Sequence, residues 1–454
     1  MQGRRLVARP LAVALLLGMT QAAFAQGDPA ALEARIAAIE AQLAELKSAL
    51  AAQRTAAAPV AAAPAVAAAG SAPTAAPPAP PIQGTTLLPG AVPGTRFSAG
   101  GFIKFDSLYT RTDGGELADG SPGRLFYLPS ATPVGGADEG TDLDMHAQFS
   151  RLWFAADSST DAGDTMRAYI EMDIFGNANG NEAATNTYGL TIRHAYVSFN
   201  KWLAGQTWSN FQDVAALPDA VDFIGPTEGT VFVRQAQLRY TSGPWTVSLE
   251  NPETLYTPLR GGATRVASDD NNVPDLSLRY TLKGAWGHFG IAGLLRQLRY
   301  ENVGTGADSD SQTGFGLSLS GKYVIGPSDD LRYTVIGGQG LGRYIGLALD
   351  TDAVLEANGD LDATGAVAGF LGWRHVFSPK WRGNLFGSWA SFDHDPLLSG
   401  GTATARSHSL HANLIYSPLP KVDVGAELIF ANRELENGAD GDLDRLHLHV
   451  KYSF

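Results

Sequence analysis

Arg445-Leu446-His447-Leu448-His449-Val450-Lys451-Tyr452-Ser453-Phe454 ends the chain. Every second residue is apolar, and those between carry basic, imidazole or hydroxyl groups. Successive side chains of an extended segment point to opposite faces, so this stretch has one apolar face and one charged face. Two further stretches repeat the pattern. Met166, Ala168, Ile170, Met172 and Ile174 alternate with Arg167, Tyr169, Glu171 and Asp173, while Val422, Val424, Ala426, Leu428 and Phe430 oppose Asp423, Gly425 and Glu427. The 359 residues from Arg96 to Phe454 follow this period of two, punctuated by Gly, Asp, Asn and Pro.

A soluble sandwich would pack the apolar face on a second sheet, whereas a membrane barrel would turn it to lipid around a watery lumen. Connection lengths separate the two. About sixteen strands fit, with ample length for membrane strands of about 9 to 11 residues each. Short connections at 200–202, 242–244, 283–287, 325–330, 378–380 and 417–420 alternate with long ones near 111–144, 209–230, 255–274, 301–312, 343–362, 393–404 and 434–444. Tight periplasmic turns and long external loops produce this alternation. An aromatic strand ending in Phe454 is also similar to the signal read by the outer-membrane insertion machinery. The expected fold is all-β: a sixteen-stranded antiparallel transmembrane β-barrel over residues 96–454, preceded by an N-terminal α-helical coiled-coil segment.

Composition narrows the function classes. The 454 residues include no Cys, which removes disulfides, thiolate metal sites and a Cys nucleophile. A formal charge of −13 argues against nucleic acid as a partner. No Gly-x-Ser-x-Gly elbow, His-Glu-x-x-His or phosphate loop is present, so no catalytic residue, cofactor or energy input is expected.

Upstream of the barrel, Arg4, Arg5 and Arg9 precede an apolar run from Leu11 to Met19, and Ala23-Phe24-Ala25 supplies a cleavage site. Residues 1–25 therefore read as a signal peptide. Its removal takes the charge from −13 to −16. Asp28 and Pro29 then start a helix in which Leu32, Ile36, Ile39, Leu43, Leu46 and Leu50 recur with spacings of four and three. This is an a/d seam that permits a trimer, so residues 26–54 are expected to form a periplasmic trimeric coiled coil that orders on association. A loose or surface-lying amphipathic helix is the alternative. Residues 55–95 are rich in Ala and Pro and read as a semi-rigid linker.

The heptad helix, the Ala/Pro linker and Ser98-Ala99-Gly100-Gly101-Phe102-Ile103-Lys104-Phe105-Asp106 together resemble the DcaP-like trimeric outer-membrane porins. So do Gly205-Gln206-Thr207-Trp208-Ser209-Asn210-Phe211, Glu250-Asn251-Pro252-Glu253-Thr254 and Gly340-Leu341-Gly342-Arg343-Tyr344. The resemblance spans essentially the whole mature chain. It implies a sixteen-stranded homotrimer in the outer membrane that takes up dicarboxylates and other organic anions.

The charge pattern fits that implication. The inward faces carry Lys104, Arg167, Arg193, Arg239, Arg279, Arg299, Lys322, Arg382, Arg433, Arg445 and Lys451 against Asp106, Glu171, Asp173, Glu250, Asp423 and Glu427. Many of the missing acids lie in external loops. Rings of Arg and Lys in a narrow pore favour anions. The competing reading is that these bases pair with wall acids merely to solvate the interior. Alternation leaves the facing of Arg151, Arg234 and Arg296 unassigned.

The connection 209–230 is unusually apolar for an exposed loop, which suggests that it folds inward and narrows the lumen; packing against a neighbouring subunit is the alternative. The expected selectivity site sets Arg167, Arg193, Arg234 and Arg239 on the wall against Asp213, Asp219, Asp222 and Phe223 of this loop, with Lys104 and Arg279 guiding solutes in. Outer-membrane lipid, lipopolysaccharide and small organic anions are the expected partners, with a periplasmic protein on the coiled coil left open. Acidic loops such as 440–444 read as solvated or bridged by divalent ions to lipopolysaccharide, with no dedicated metal site. A structural tether between outer membrane and cell wall, anchored by a non-selective barrel, is the alternative function.

Overall fold

A computed structural model describes residues 95–176, 188–301 and 309–454. The expected signal peptide, heptad helix and Ala/Pro linker lie outside these residues.

Strand β1 (Arg96–Thr112) pairs with two successive segments, β2 (Asp142–His146) along its outer half and β3 (Arg151–Ser159) along its inner half. Residues 147–150 interrupt what is one strand of the wall. Antiparallel pairing continues through β4 (Thr165–Asp173), β5 (Thr191–Phe199), β6 (Trp202–Trp208), β7 (Arg234–Ser242) and β8 (Trp245–Glu250). Short strands β9 (Thr254–Thr257) and β10 (Val266–Ser268) leave the wall, which resumes with β11 (Asp275–Gly284), β12 (Gly287–Glu301), β13 (Ser309–Ile325) and β14 (Asp329–Gln339). After β15 (Ala353–Leu355) and β16 (Leu361–Ala363), the wall is completed by β17 (Gly365–Ser378), β18 (Trp381–Asp393), β19 (Thr404–Tyr416), β20 (Val422–Leu435) and β21 (Asp440–Ser453). Strand β21 pairs back onto β1 from Phe102–Ser453 to Thr112–Leu443. With β2 and β3 counted as one, sixteen antiparallel strands close the ring. Strands β9, β10, β15 and β16 form a separate small sheet.

Burial is inverted relative to a soluble protein. Leu428 and Phe430 are 46% and 49% exposed, while Asp106, Glu427 and His447 are fully buried at 0%. The alternating faces of β4, β20 and β21 thus present apolar side chains outward and polar ones inward. Cross-strand aromatic pairs gather at the short-turn end: Trp202 with Tyr240, Trp245 with Tyr280 and Trp381 with Tyr416, with ring centroids 4.5–4.7 Å apart. They supply the aromatic girdle expected at a membrane interface.

The turns hold the register. At the turn between β5 and β6, Asn200 adopts φ 51°, and its side-chain oxygen accepts from Thr165 N at 2.9 Å. Asn tolerates that left-handed conformation at little cost. One further turn, 160–164, and one further long connection, between β4 and β5, complete the alternation read from the sequence.

Candidate functional site

The connection between β6 and β7, residues 209–233, is fastened along the wall from β8 round to β1. Arg279 of β11 donates from Nε to the Asn210 carbonyl at 2.7 Å and from Nη2 to the Phe211 carbonyl at 2.8 Å. Asp213 accepts from Ser320 Oγ of β13 at 2.7 Å, lies 3.0 Å from His288 Nε2 of β12, and caps the short turn 214–216. Arg332 of β14 donates to the Leu217 carbonyl, and Arg382 of β18 bonds Asp219 at 2.5 Å. Asn384 and Asn413 both donate to the Asp219 carbonyl. Farther round, Val221 N donates to Glu427 at 2.6 Å and Lys104 Nζ of β1 donates to the Val221 carbonyl at 2.9 Å.

The loop's last third is also anchored. Asp222 accepts from Tyr127 N at 2.8 Å and lies 3.5 Å from His447. Burial acts to raise the Asp222 carboxyl, but His447 and the N–H groups of Tyr127 and Ile224 together hold it below the ordinary carboxylate range. Glu228 accepts from Tyr127 Oη at 2.6 Å and Ser409 Oγ at 2.8 Å, and Gly229 N donates to Ser388 at 2.9 Å. A Cβ on Gly229 would come within 2.3 Å of the Gly369 backbone, so only glycine permits this approach. Aromatic rings add apolar contact: half-buried Phe223 stacks on buried Phe149 with centroids 4.1 Å apart, and buried Phe126 meets Phe223 edge-on.

The wall from β3 to β7 is left with the free charge. Arg193 bonds Glu171 at 2.9 Å and Asp173 at 2.8 Å, and Arg151 shares Glu171 at 3.4 Å. Arg234 stands over the rings of Trp208 and Phe232, at 4.9 and 5.2 Å, with no ion pair among the described residues. Glu171 and Asp173 are thus already taken up by Arg151 and Arg193. Arg239 donates to the Trp208 carbonyl at 2.5 Å, again without an ion pair among the described residues. Arg234 Nη1, Arg239 Nε, Arg151 Nε and Arg167 Nε are buried donors without a partner among the described residues.

A β-bulge creates this cluster. Between β4 and β5 the pairing passes from Glu171–His194 to Met172–Ile192, so Arg193 is the extra residue. Arg193 and His194 are consecutive, yet both are buried and both contact Glu171. Strict alternation would have placed one of them in lipid.

Two expectations need correction. Lys104 and Arg279 do not offer free charge to an arriving solute: both are spent on the loop backbone, and Lys104 also pairs with Asp106 at 2.6 Å. Asp213, Asp219 and Asp222 do not face Arg167, Arg193, Arg234 and Arg239; Asp213 and Asp219 bond His288 and Arg382, and Asp222 lies 3.5 Å from His447, on the opposite wall. The loop residue brought to the arginines is Phe223, whose ring lies 5.5 Å from the Arg193 guanidinium. Arg167 pairs with Asp157 at 3.4 Å over the Tyr169 ring, toward the short-turn end. Arg296 is wholly buried, bonded to Asp352 and the Gly340 carbonyl, both at 2.7 Å, and ties the long loops to the wall. Several other inward bases are paired: Arg382 and Lys451 both hold Asp423.

Residues 130–454 match the family described as DcaP outer membrane protein. The chain belongs to that family. It is an outer-membrane channel of the porin kind. The outer membrane channel DcaP of Acinetobacter baumannii is similar at 23% identity, with a TM-score of 0.65 over 80% of this chain and 98% of that one. A loop-deletion mutant of OmpT from Vibrio cholerae (12% identity, TM-score 0.49, 80% and 100% coverage) and an anion-selective porin from Comamonas acidovorans (9%, 0.48, 79% and 100%) also resemble it. No curated protein matches the chain.

The outer mouth of this DcaP-family barrel carries a further ionic tie. His394, just beyond β18, lies 2.9 Å from Glu436 and 3.6 Å from Asp350, with its side chain 1% exposed. Burial lowers the imidazole pKa, but the two carboxylates outweigh it and raise the value above the ordinary one. The protonated form is therefore favoured in the folded loops. The stabilisation is fully present below about pH 6.5, the unfolded value, and is lost as pH rises through the raised one. Limited proteolysis of segment 394–403 is expected to be slower at pH 6 than at pH 8, and His394→Gln is expected to remove that difference; an unchanged difference in the variant would contradict the tie.

Proposed function

We propose that the channel passes small anionic solutes, dicarboxylates among them, by passive diffusion between the third long loop, residues 209–233, and the β3–β7 wall. The observation that carries this reading is the pair Arg234 and Arg239, whose guanidiniums keep donors without a partner among the described residues, while the nearby carboxylates Glu171 and Asp173 are already engaged by Arg151 and Arg193. A guanidinium fork matches a carboxylate with two parallel hydrogen bonds, and low dielectric around a narrow passage strengthens the attraction. The aromatic rings packed against these guanidiniums, Phe223 on Arg193 and Trp208 and Phe232 on Arg234, keep water from screening it. Passage needs sites weak enough to release the solute, which suits a few half-buried guanidiniums along a wall rather than a closed pocket.

We further propose that residues 1–25 are removed on export, that residues 26–54 clasp three chains on the periplasmic side, and that 55–95 tether this helix to the barrel. The heptad seam from Leu32 to Leu50 supports the clasp.

Two measurements test these readings. Single channels in a planar bilayer under a KCl gradient are expected to show an anion-selective reversal potential and partial block by succinate. Arg234→Gln with Arg239→Gln is expected to reduce the anion-to-cation permeability ratio roughly fivefold, about 1 kcal/mol of lost attraction; cation selectivity in the parent would sink the proposal. Deleting residues 26–54 is expected to lower the temperature at which the detergent-extracted trimer dissociates, and an unaltered temperature would show that the helix is no clasp.

A further inference from the structure

Below the third loop, at the short-turn end of the barrel, basic side chains stand in one row across neighbouring strands. Lys283 of β11 pairs with His288 of β12, and His288 pairs with Lys322 of β13. Residues directly opposite in an antiparallel sheet share a face. That face is the inner one, because His288 is buried and touches Asp213 of the loop, while the neighbours Leu282 and Tyr323 are 49% and 51% exposed. The row borders a cavity of about 470 Å³, lined also by Arg279, Thr281 and Gln212.

The charges in this cavity are not equivalent. Arg279 is committed to the Asn210 and Phe211 carbonyls and lies 3.6 Å from Asp213, so that pair is internally balanced. A Cβ on Gly290 would come within 2.9 Å of Arg279 Nη1, so glycine there lets the guanidinium lie flat along the wall. Lys283 and Lys322 have no hydrogen bond or ion pair among the described residues. Lys283 is exposed and Lys322 half-buried. Two strand spacings separate their backbones by about 10 Å, and flexible four-carbon stems can bring both ammoniums onto one solute between them.

We propose that Lys283 and Lys322 form a second anion site at the periplasmic outlet, one that takes compact dianions and lies apart from the arginine cluster. It rests on the reading of the channel as an anion pathway. An ammonium is a point charge without the fork geometry of arginine, so this site reads charge density rather than carboxylate shape. Thr281 adds a neutral hydroxyl donor. Two sites in series, each weak, draw the solute past the loop and then release it. Dicarboxylates and inorganic oxyanions such as sulfate share the chemistry the site recognises.

The test uses the full chain in oriented planar bilayers, with sulfate or succinate added to the short-turn side at fixed KCl. Either dianion is expected to reduce chloride current, and Lys283→Gln with Lys322→Gln is expected to raise the half-blocking concentration roughly fivefold or more from that side. Block by both probes assigns compact dianions generally, and block by succinate alone restricts the site to dicarboxylates. The paired Lys→Arg variant should retain block, which separates lost charge from a disturbed wall. An unchanged half-blocking concentration in the Gln variant, or no block in the parent, overturns the site. The parent's reversal potential, read in the same bilayers, tells the two claims apart. Anion selectivity with unchanged block removes only the second site; cation selectivity with a lysine-dependent block keeps the site and removes the anion pathway.

Discussion

The structure depends on closure of the sheet. In lipid every backbone N–H and C=O must be bonded within the protein, and an open sheet edge would leave a row of them bare. Strand β21 meets that requirement by pairing with β1 over eleven residue pairs, while β1 splits its other edge between β2 and β3. Once the ring is closed, one face of each strand meets hydrocarbon and the other encloses polar side chains. Asp106, Glu427 and His447 are then buried together and must find partners: His447 lies 2.8 Å from Asp106, and His411 lies 2.8 Å from Glu427.

Those inner partners decide where the third loop lies. Between β8 and β1 the wall presents Arg279 of β11, His288 of β12, Arg382 of β18, Glu427 of β20 and Lys104 of β1, and the loop meets each with a carbonyl, a carboxylate or an N–H. Wall charge is consumed there in holding the loop. From β3 to β7 no loop segment covers the arginines in the same way, and Arg234 and Arg239 retain unpartnered donors among the described residues. The asymmetry between a half that hydrogen-bonds the loop and a half that the loop meets only with the rings of Phe223 and Phe232 supports the proposed passage.

Much of this architecture was legible in the sequence because water on one face and lipid on the other impose a strict alternation on long strands. The segment Val422 to Phe430 shows this, and the short turns near 242–244 and 417–420 are sharp enough to be read from Gly and Pro. Interior detail was less legible. The bulge beside Arg193 breaks the alternation by one residue and has no local signature, and Arg234 begins its strand, where alternation has not yet set a facing. The wall partners of Asp213, Asp219 and Asp222 lie 66 or more residues away along the chain, so periodicity could say that the loop was apolar enough to fold inward but not which wall it would meet. The same distance hid the commitment of Lys104 and Arg279 to the loop backbone.

The central claim is that solute moves along the β3–β7 wall, through positive potential, while the opposite wall is sealed behind the loop. A chain without cysteine makes this directly measurable with single introduced thiols. Ser198→Cys places a thiol on the inner face of β5, beside Arg167, and Ser388→Cys places one under Gly229 of the loop. With anionic and cationic methanethiosulfonate reagents of similar size, the account predicts that the thiol at 198 reacts readily and faster with the anionic reagent, while the thiol at 388 stays unreactive to both. Equal reactivity at the two positions, or faster reaction of the cationic reagent at 198, would contradict it.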